Sequence, residues 1–111
     1  MARVMINGSD AMSTNVLKCT QLQWSWMIGI GDEASGATVT IDERAETPTA
    51  KSVHIRNIGN FTGIYSEGDG GNATANFARE TFTVAGTADG LNTDDPNQPA
   101  QASFKIVVRC W

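Results

Sequence analysis

Residues 21–31 read QLQWSWMIGIG, and this stretch alternates apolar and polar side chains more regularly than any other part of the chain. Neighbouring residues of a β-strand point to opposite faces, so an alternation of this kind is typical of a strand with one buried face. The apolar face comprises Leu22, Trp24, Trp26, Ile28 and Ile30. The stretch therefore predicts one half-buried strand, with Met27 on its opposite face.

The same period of two recurs along the whole chain. Asn7-Gly8 is a strong turn dipeptide after the first apolar segment, and Arg79-Glu80 lies between two β-rich arms that predict a hairpin. Residues 90–101, GLNTDDPNQPAQ, predict a long polar loop because they contain two prolines and many turn-forming residues. No window has a helical period. We expect an all-β chain with about seven to nine strands, in one antiparallel β-sandwich-like domain over residues 1–111.

Composition excludes some classes of partner. The chain has 111 residues, a net charge of −4 and only 18% charged residues. The eight lysines and arginines form no basic block, so no nucleic-acid partner is expected. No apolar run is long enough for a transmembrane helix. The opening residues MARVMINGSD also lack a secretory signal, so Met1 is either the natural start or a start codon placed on a shortened chain.

Two cysteines, Cys19 and Cys110, lie near opposite ends of the chain. Each closes a β-like segment, which is the placement expected of a cross-link between the first and last parts of a small β domain. A disulfide that closes so long a loop is worth roughly 4–5 kcal/mol in the chain-entropy model, and it would indicate an oxidising compartment. The alternative is a pair of buried free thiols in a cytosolic protein.

The sequence offers little catalytic chemistry. His54 is the single histidine and alternates onto the polar side of its strand, so it cannot form a usual zinc site. A serine–histidine–carboxylate triad would need His54, yet no nucleophile motif supports one. The adjacent carboxylate pairs, such as Asp94-Asp95, predict turns rather than acid–base couples. We expect no enzyme activity, no metal and no cofactor.

The two central tryptophans have two interpretations. Because Trp24 and Trp26 share a face with large aliphatic residues, that face is most simply a core face. The alternative is an aromatic platform for a ligand or partner, to which Met27 and the terminal Trp111 would also contribute.

Several stretches resemble the mycobacterial 19-kilodalton lipoprotein antigen family. They are MINGSD, LKCT, IGIGD, AKSVHIRNIGNFTGIYSEGDGGNATA and VAGTADGLNTDDPNQPAQASFKIVVRC, and they span the chain from Val4 to Cys110. The resemblance implies that Cys19 and Cys110 form a disulfide. The chain departs from the family pattern at Trp24, Trp26 and Met27, where smaller or polar residues are usual, and this departure leaves open a ligand specific to this chain.

The resemblance also implies a function. Members of this family are exported antigens of the cell envelope, are not known to be enzymes, and attach to the membrane through a lipid on an N-terminal cysteine. This sequence contains no lipidation motif, so Met1 would replace the signal, the lipidated cysteine and a linker. Host receptors recognise the lipidated terminus. The leading hypothesis is therefore a non-enzymatic envelope domain that displays a surface to partners. Two alternatives are a carrier of lipid or glycolipid, with a cavity beside Trp24, Trp26 or Met27, and a small hydrolase that uses His54.

Overall fold

The chain is built from β-strands alone in the computed structural model, which describes residues 1–110. These residues contain no helix that could span a membrane. The predicted all-β class is confirmed, although the strands number ten rather than seven to nine. The strands are β1 (Ala2–Ile6), β2 (Ser9–Thr14), β3 (Leu17–Leu22), β4 (Ser25–Gly31), β5 (Gly36–Asp42), β6 (Thr49–Ile58), β7 (Phe61–Ser66), β8 (Ala73–Ala78), β9 (Thr81–Asn92) and β10 (Asp95–Val108).

All ten strands belong to one antiparallel sheet. Its order is β2-β1-β10-β9-β7-β6-β5-β4-β3, and β8 pairs with the first half of β9. The second half of β9 pairs with β7, so the long strands β9 and β10 connect two groups of shorter hairpins. The sheet curves round until its two edges approach each other, and the apolar side chains of its inner face form the core.

A disulfide joins Cys19 and Cys110, as predicted. Cys19 lies on the edge strand β3, whereas Cys110 follows β10, which lies two strands from the opposite edge strand β2. The cross-link therefore holds the sheet nearly closed. The edge strand β3 and the end of β10 are far apart in the order of the sheet, so the two cysteines meet only because the sheet curves.

The core is entirely apolar. No polar or charged residue of the described part of the chain is buried. Its largest fully buried side chains come from β1, β4, β5, β6, β9 and β10, and they are Val4, Ile28, Ile30, Val39, Ile41, Val53, Ile55, Ile58, Phe82, Val84, Ile106 and Val108. Most of them alternate along their strands, so the period of two in the sequence predicted the inner face correctly.

The prediction of a single strand over residues 21–31 is wrong. The chain reverses at Gln23, whose φ is 55°, and residues 23–24 form the turn between β3 and β4. Leu22 pairs with Ser25, and paired residues share a face, so Leu22 lies on the same face as Met27 and opposite Trp26. The alternation continued across a turn that carries no glycine, proline or asparagine, and this concealed the reversal.

The predicted loop over residues 90–101 is also wrong, because β9 and β10 continue through most of it and leave only a short turn at 93–94. The register shifts between Asp95 and Pro99, so the intervening residues form a bulge. This part of β10 pairs only with β9, so prolines are tolerated on its free edge. The predicted turns at Asn7-Gly8 and Arg79-Glu80 are confirmed.

Candidate functional site

The turn between β3 and β4 projects apolar side chains into solvent. Leu22 is 76% exposed and Trp24 is 58% exposed, so the predicted core position of both residues is wrong. The turn is nonetheless held in place, because the backbone N–H of Glu43 donates a hydrogen bond of 2.8 Å to the carbonyl of Trp24. Trp24 is therefore attached to the loop that follows β5 without being buried by it.

Trp26 is half-buried and joins the core to the surface. Its ring centroid lies 5.6 Å from that of Phe82, which is fully buried on β9. Its indole Nε1–H donates a hydrogen bond of 3.0 Å to the Glu43 carboxylate. Burial of a tryptophan is favourable when the N–H finds an acceptor, and Glu43 supplies it here. Trp26 therefore lies on the core side of its strand, as predicted, although it is only half-buried.

Phe77 extends this aromatic cluster to the hairpin of β8 and β9. Its ring lies 4.6 Å from that of Phe82, and it is 40% exposed. The adjoining turn is unusual, because Arg79 and Glu80 both have positive φ angles, of 54° and 63°. Residues with a Cβ adopt this conformation only at a cost in free energy. The sequence analysis did not identify Phe77. The signal was available, because the turn predicted at Arg79-Glu80 places Phe77 opposite Phe82 in a hairpin.

The loop at residues 43–48 completes this surface. Asp42 accepts hydrogen bonds from the Arg44 guanidinium, the shortest at 2.7 Å, and from the Arg44 backbone N–H. These bonds hold the pKa of the Asp42 carboxyl below its usual value and raise that of Arg44. A surface depression of about 190 Å³ lies between this ion pair and the exposed Trp24, and a second of about 260 Å³ lies beside Phe77.

The N-terminus and the disulfide lie at the same end of the molecule. Met1 donates a hydrogen bond of 3.1 Å from its amino group to the carbonyl of Arg109 and accepts one of 2.9 Å from the Arg109 N–H. The next residue, Cys110, is bonded to Cys19 on the strand that ends at Leu22. We call this region the aromatic end, and it comprises residues 1 and 22–26, the loop 43–48, Phe77, the turn 79–80 and the disulfide.

The opposite end of β9 is polar, and its turns are connected by side-chain hydrogen bonds. The Asn60 side-chain amide donates a hydrogen bond of 3.0 Å to the Asp94 carboxylate and accepts one of 3.1 Å from the Asp94 backbone N–H. The hydroxyl groups of Thr62 and Thr93 are hydrogen-bonded to each other at 2.8 Å. The Ser35 hydroxyl donates to the carbonyl of Asn57. We call this region the polar end, and it comprises the turn 7–8, the loop 32–35, Asn57 and the turns 59–60 and 93–94.

Met27, one of the residues proposed for the partner surface, does not join the aromatic cluster. Met27 is 54% exposed on the outer face of β4, as its position in the alternation predicted. It therefore flanks the cluster rather than packing within it. Trp111 lies outside the described residues. Whether Trp24, Trp26, Met27 or Trp111 binds anything stays a prediction.

The candidate catalytic residues remain dispersed. His54 is exposed on β6 and pairs in register with Thr38 and Ile64. Its side chain forms no hydrogen bond or ion pair within residues 1–110. The Asp32 carboxylate accepts bonds from the N–H groups of residues 34 and 35 and so has a structural role. Within residues 1–110, no group of three or more histidine, cysteine, aspartate or glutamate side chains could hold a metal ion.

Comparison with known proteins extends this description. The family described as Mycobacterium 19 kDa lipoprotein antigen matches residues 1–110. A putative lipoprotein of Mycobacterium indicus pranii is 51% identical over 98% of this chain and 78% of its own length. One of Mycobacterium avium subsp. hominissuis is 46% identical over 98% and 75%. Lipoprotein LpqH of Mycobacterium bovis is 33% identical over 97% and 68%.

Proposed function

The chain belongs to the Mycobacterium 19 kDa lipoprotein antigen family, and we therefore propose that it is a non-enzymatic domain of the cell envelope that a lipid anchors and that displays an interaction surface. The match of the family over residues 1–110 carries this proposal. Each of the three relatives above is longer than the stretch that it shares with this chain. We place the anchoring lipid in sequence on the N-terminal side of this domain.

The architecture suits display of a stable surface outside the cell. The disulfide links residues 91 positions apart in sequence, and such a bond persists in an oxidising compartment. The apolar side chains of the inner face are buried in one core, so the loops and turns at the two ends remain available to contact other molecules. A closed sheet of this kind tolerates variation in its turns while the core holds its shape.

A lipid or glycolipid carrier is the second candidate, because Trp24 is exposed beside a depression. Carrier pockets are concave, mostly apolar and commonly about 300–1,000 Å³ in volume. The depression at Trp24 has only about 190 Å³ and is bordered by Gln23, Asp42 and Arg44. Met27 does not line this depression. The geometry at Trp24 therefore favours display over carriage.

The experiment that tests the proposal follows the full-length natural product in a mycobacterial host. We expect it to incorporate labelled palmitate, to enter the detergent phase on Triton X-114 partition and to fractionate with the envelope. Residues 1–111 expressed alone serve as the control and should stay in the aqueous phase. A full-length product that remains unlabelled and soluble would refute the anchored lipoprotein.

Two further measurements address the alternatives. A carrier would co-elute with stoichiometric lipid after incubation with envelope extract and gel filtration, whereas a display domain would elute without it. The hydrolase hypothesis requires His54, so an esterase or peptidase activity that His54→Ala abolishes would replace the proposal. We expect no such activity, because the His54 side chain has no nucleophile or carboxylate bonded to it within residues 1–110.

A further inference from the structure

The position of the N-terminus determines which end of the domain is nearest to anything attached before it. Ala2 pairs with Val108, and Val108 pairs with Phe82 at the start of β9. Phe82 contacts both Trp26 and Phe77. The chain therefore enters the sheet at the aromatic end, and an anchor that precedes residue 1 would hold this end towards the membrane.

Exposed apolar groups at the aromatic end suit that position. Leu22 and Trp24 sit on a projecting turn, and the hydrogen bond from Glu43 fixes the turn while leaving both side chains in solvent. Tryptophan is enriched where membranes meet water, because its ring is apolar and its N–H is polar. At the polar end the corresponding tips carry Asn60, Asp94 and Asp95, which have no such affinity.

The distribution of charge distinguishes the two ends. Arg3, Arg44, Arg79 and Arg109 lie at or beside the aromatic end, where Arg3 and Arg109 line a cleft with Met1. The acidic residues there, Asp10, Asp42, Glu43, Glu46 and Glu80, nearly balance these charges, and Arg44 is paired with Asp42 at 2.7 Å. The polar end is more acidic, since Asp32, Glu33, Asp94 and Asp95 outnumber Arg56, which donates to the carbonyl of Asp32. Anionic headgroups therefore repel the polar end more than the aromatic end.

We propose that the aromatic end is a membrane-contact surface, which places Leu22 and Trp24 among the lipid headgroups and directs the polar end away from the membrane. The proposal rests on the proposed function, because it assumes a lipid anchor before residue 1. The occupant of this surface is the bilayer itself, whose anionic headgroups repel the more acidic polar end.

The test attaches residues 1–111 through an N-terminal hexahistidine tag to vesicles of phosphatidylcholine and phosphatidylglycerol that contain a nickel-chelating lipid. Brominated acyl chains in these vesicles quench any tryptophan that enters the interface. We expect strong quenching of the wild-type emission. Leu22→Ser with Trp24→Ser should lose most of it, leaving only the contribution of Trp26 and Trp111. Ile64→Ser, which removes a side chain 52% exposed on β7, should be quenched like the wild type.

Two results would overturn the orientation. In the first, the tryptophan emission of the anchored wild-type protein is not quenched, and the aromatic end would then be a candidate surface for a protein partner instead of the membrane. The other is equal fractional quenching in the wild type and the Leu22–Trp24 double variant. Unfolding midpoints within experimental error of each other would show that all variants fold. The tag supplies the anchor in this experiment, so it is independent of natural lipidation. Absence of quenching together with successful palmitate labelling would refute only the orientation. Absence of palmitate labelling would refute only the natural anchor.

Discussion

The polar end and the aromatic end turn the chain with different residues. At the polar end, the non-glycine residues with positive φ are Asn7, Asn57 and Asn60, and asparagine adopts this conformation at a lower cost than most residues. At the aromatic end, the same conformation is imposed on Gln23, Arg79 and Glu80.

The two ends are also stabilised by different forces. Hydrogen bonds between side chains and turns connect the polar end, whereas the disulfide and the Trp26–Phe82–Phe77 cluster stabilise the aromatic end. The disulfide and the aromatic contacts offset the local free-energy cost of the turns at the aromatic end. The polar end therefore uses residues suited to its turns, whereas the turns of the aromatic end carry a local cost that tertiary contacts offset.

The largest expected effect comes from breaking the covalent link at the aromatic end. Cys19→Ser with Cys110→Ser should lower the free energy of unfolding by about 4–5 kcal/mol, because the unfolded chain regains the entropy of a long loop. Guanidinium denaturation measures this loss, and hydrogen exchange should rise first at β3 and the C-terminus. The reduced wild-type protein is the matched control and should behave like the double variant. A loss of less than about 1 kcal/mol would contradict the view that the long loop makes this disulfide a major source of stability.

Removing the buried centre of the aromatic cluster has the next largest effect. Phe82→Ala should cost about 3–5 kcal/mol of stability, because it leaves a cavity between Trp26 and Phe77. Trp26 emission should shift to the red as water approaches the ring. Phe77→Ala is the comparison variant and should cost clearly less, since Phe77 is partly exposed. Equal losses from the two variants would show that the cluster is not centred on Phe82.

Exchanging turn residues tests the difference in backbone strain directly. Arg79→Asn with Glu80→Gly should raise the free energy of unfolding by about 1–2 kcal/mol, because both replacements accept a positive φ more readily. Thermal or urea unfolding measures the gain. Arg79→Ala removes the side chain but keeps a Cβ at positive φ, so it should give no such gain. At the polar end, Asn60→Ala should instead destabilise, since it loses the bonds to Asp94 and adds strain.

The smallest effect concerns the ion pair beside Trp24. Arg44→Ala should raise the pKa of Asp42 part of the way towards its ordinary value, because it removes the guanidinium bonds that lower it while the backbone N–H of residue 44 still donates to the carboxyl. A carboxyl with a lowered pKa adds stability above its unfolded pKa and loses it as the pH falls through the lowered value. The wild type should therefore retain this contribution to a lower pH than the variant.

A titration of the Asp42 carboxyl carbon by NMR measures this shift. Lys51→Ala is the control and should move the Asp42 pKa much less, because Lys51 acts on it only through its more distant charge. An unchanged Asp42 pKa in Arg44→Ala would show that the pair does not persist in solution.

Local sequence patterns were sufficient where the turn residues are distinctive. Asn7-Gly8 predicted its turn because both residues accept positive φ, and the arms around Arg79-Glu80 predicted their hairpin. Gln23-Trp24 carries no such signal, so a reversal inside an unbroken alternation was read as one strand. Pro96 and Pro99 indicated a loop, yet a bulge on a free sheet edge accommodates them within β10.

The amino-acid sequence alone determined the all-β class, the apolar inner face and the pair of cysteines suited to a cross-link, because strand periodicity and residue chemistry are local properties. Only the tertiary structure decided that Trp24 is exposed while Trp26 is half-buried, since one reversal at Gln23 redistributes the faces of the whole stretch. It also decided that Phe77, Phe82, the disulfide and the N-terminus meet at one end. That meeting depends on the order in which distant strands pair, which no local pattern encodes.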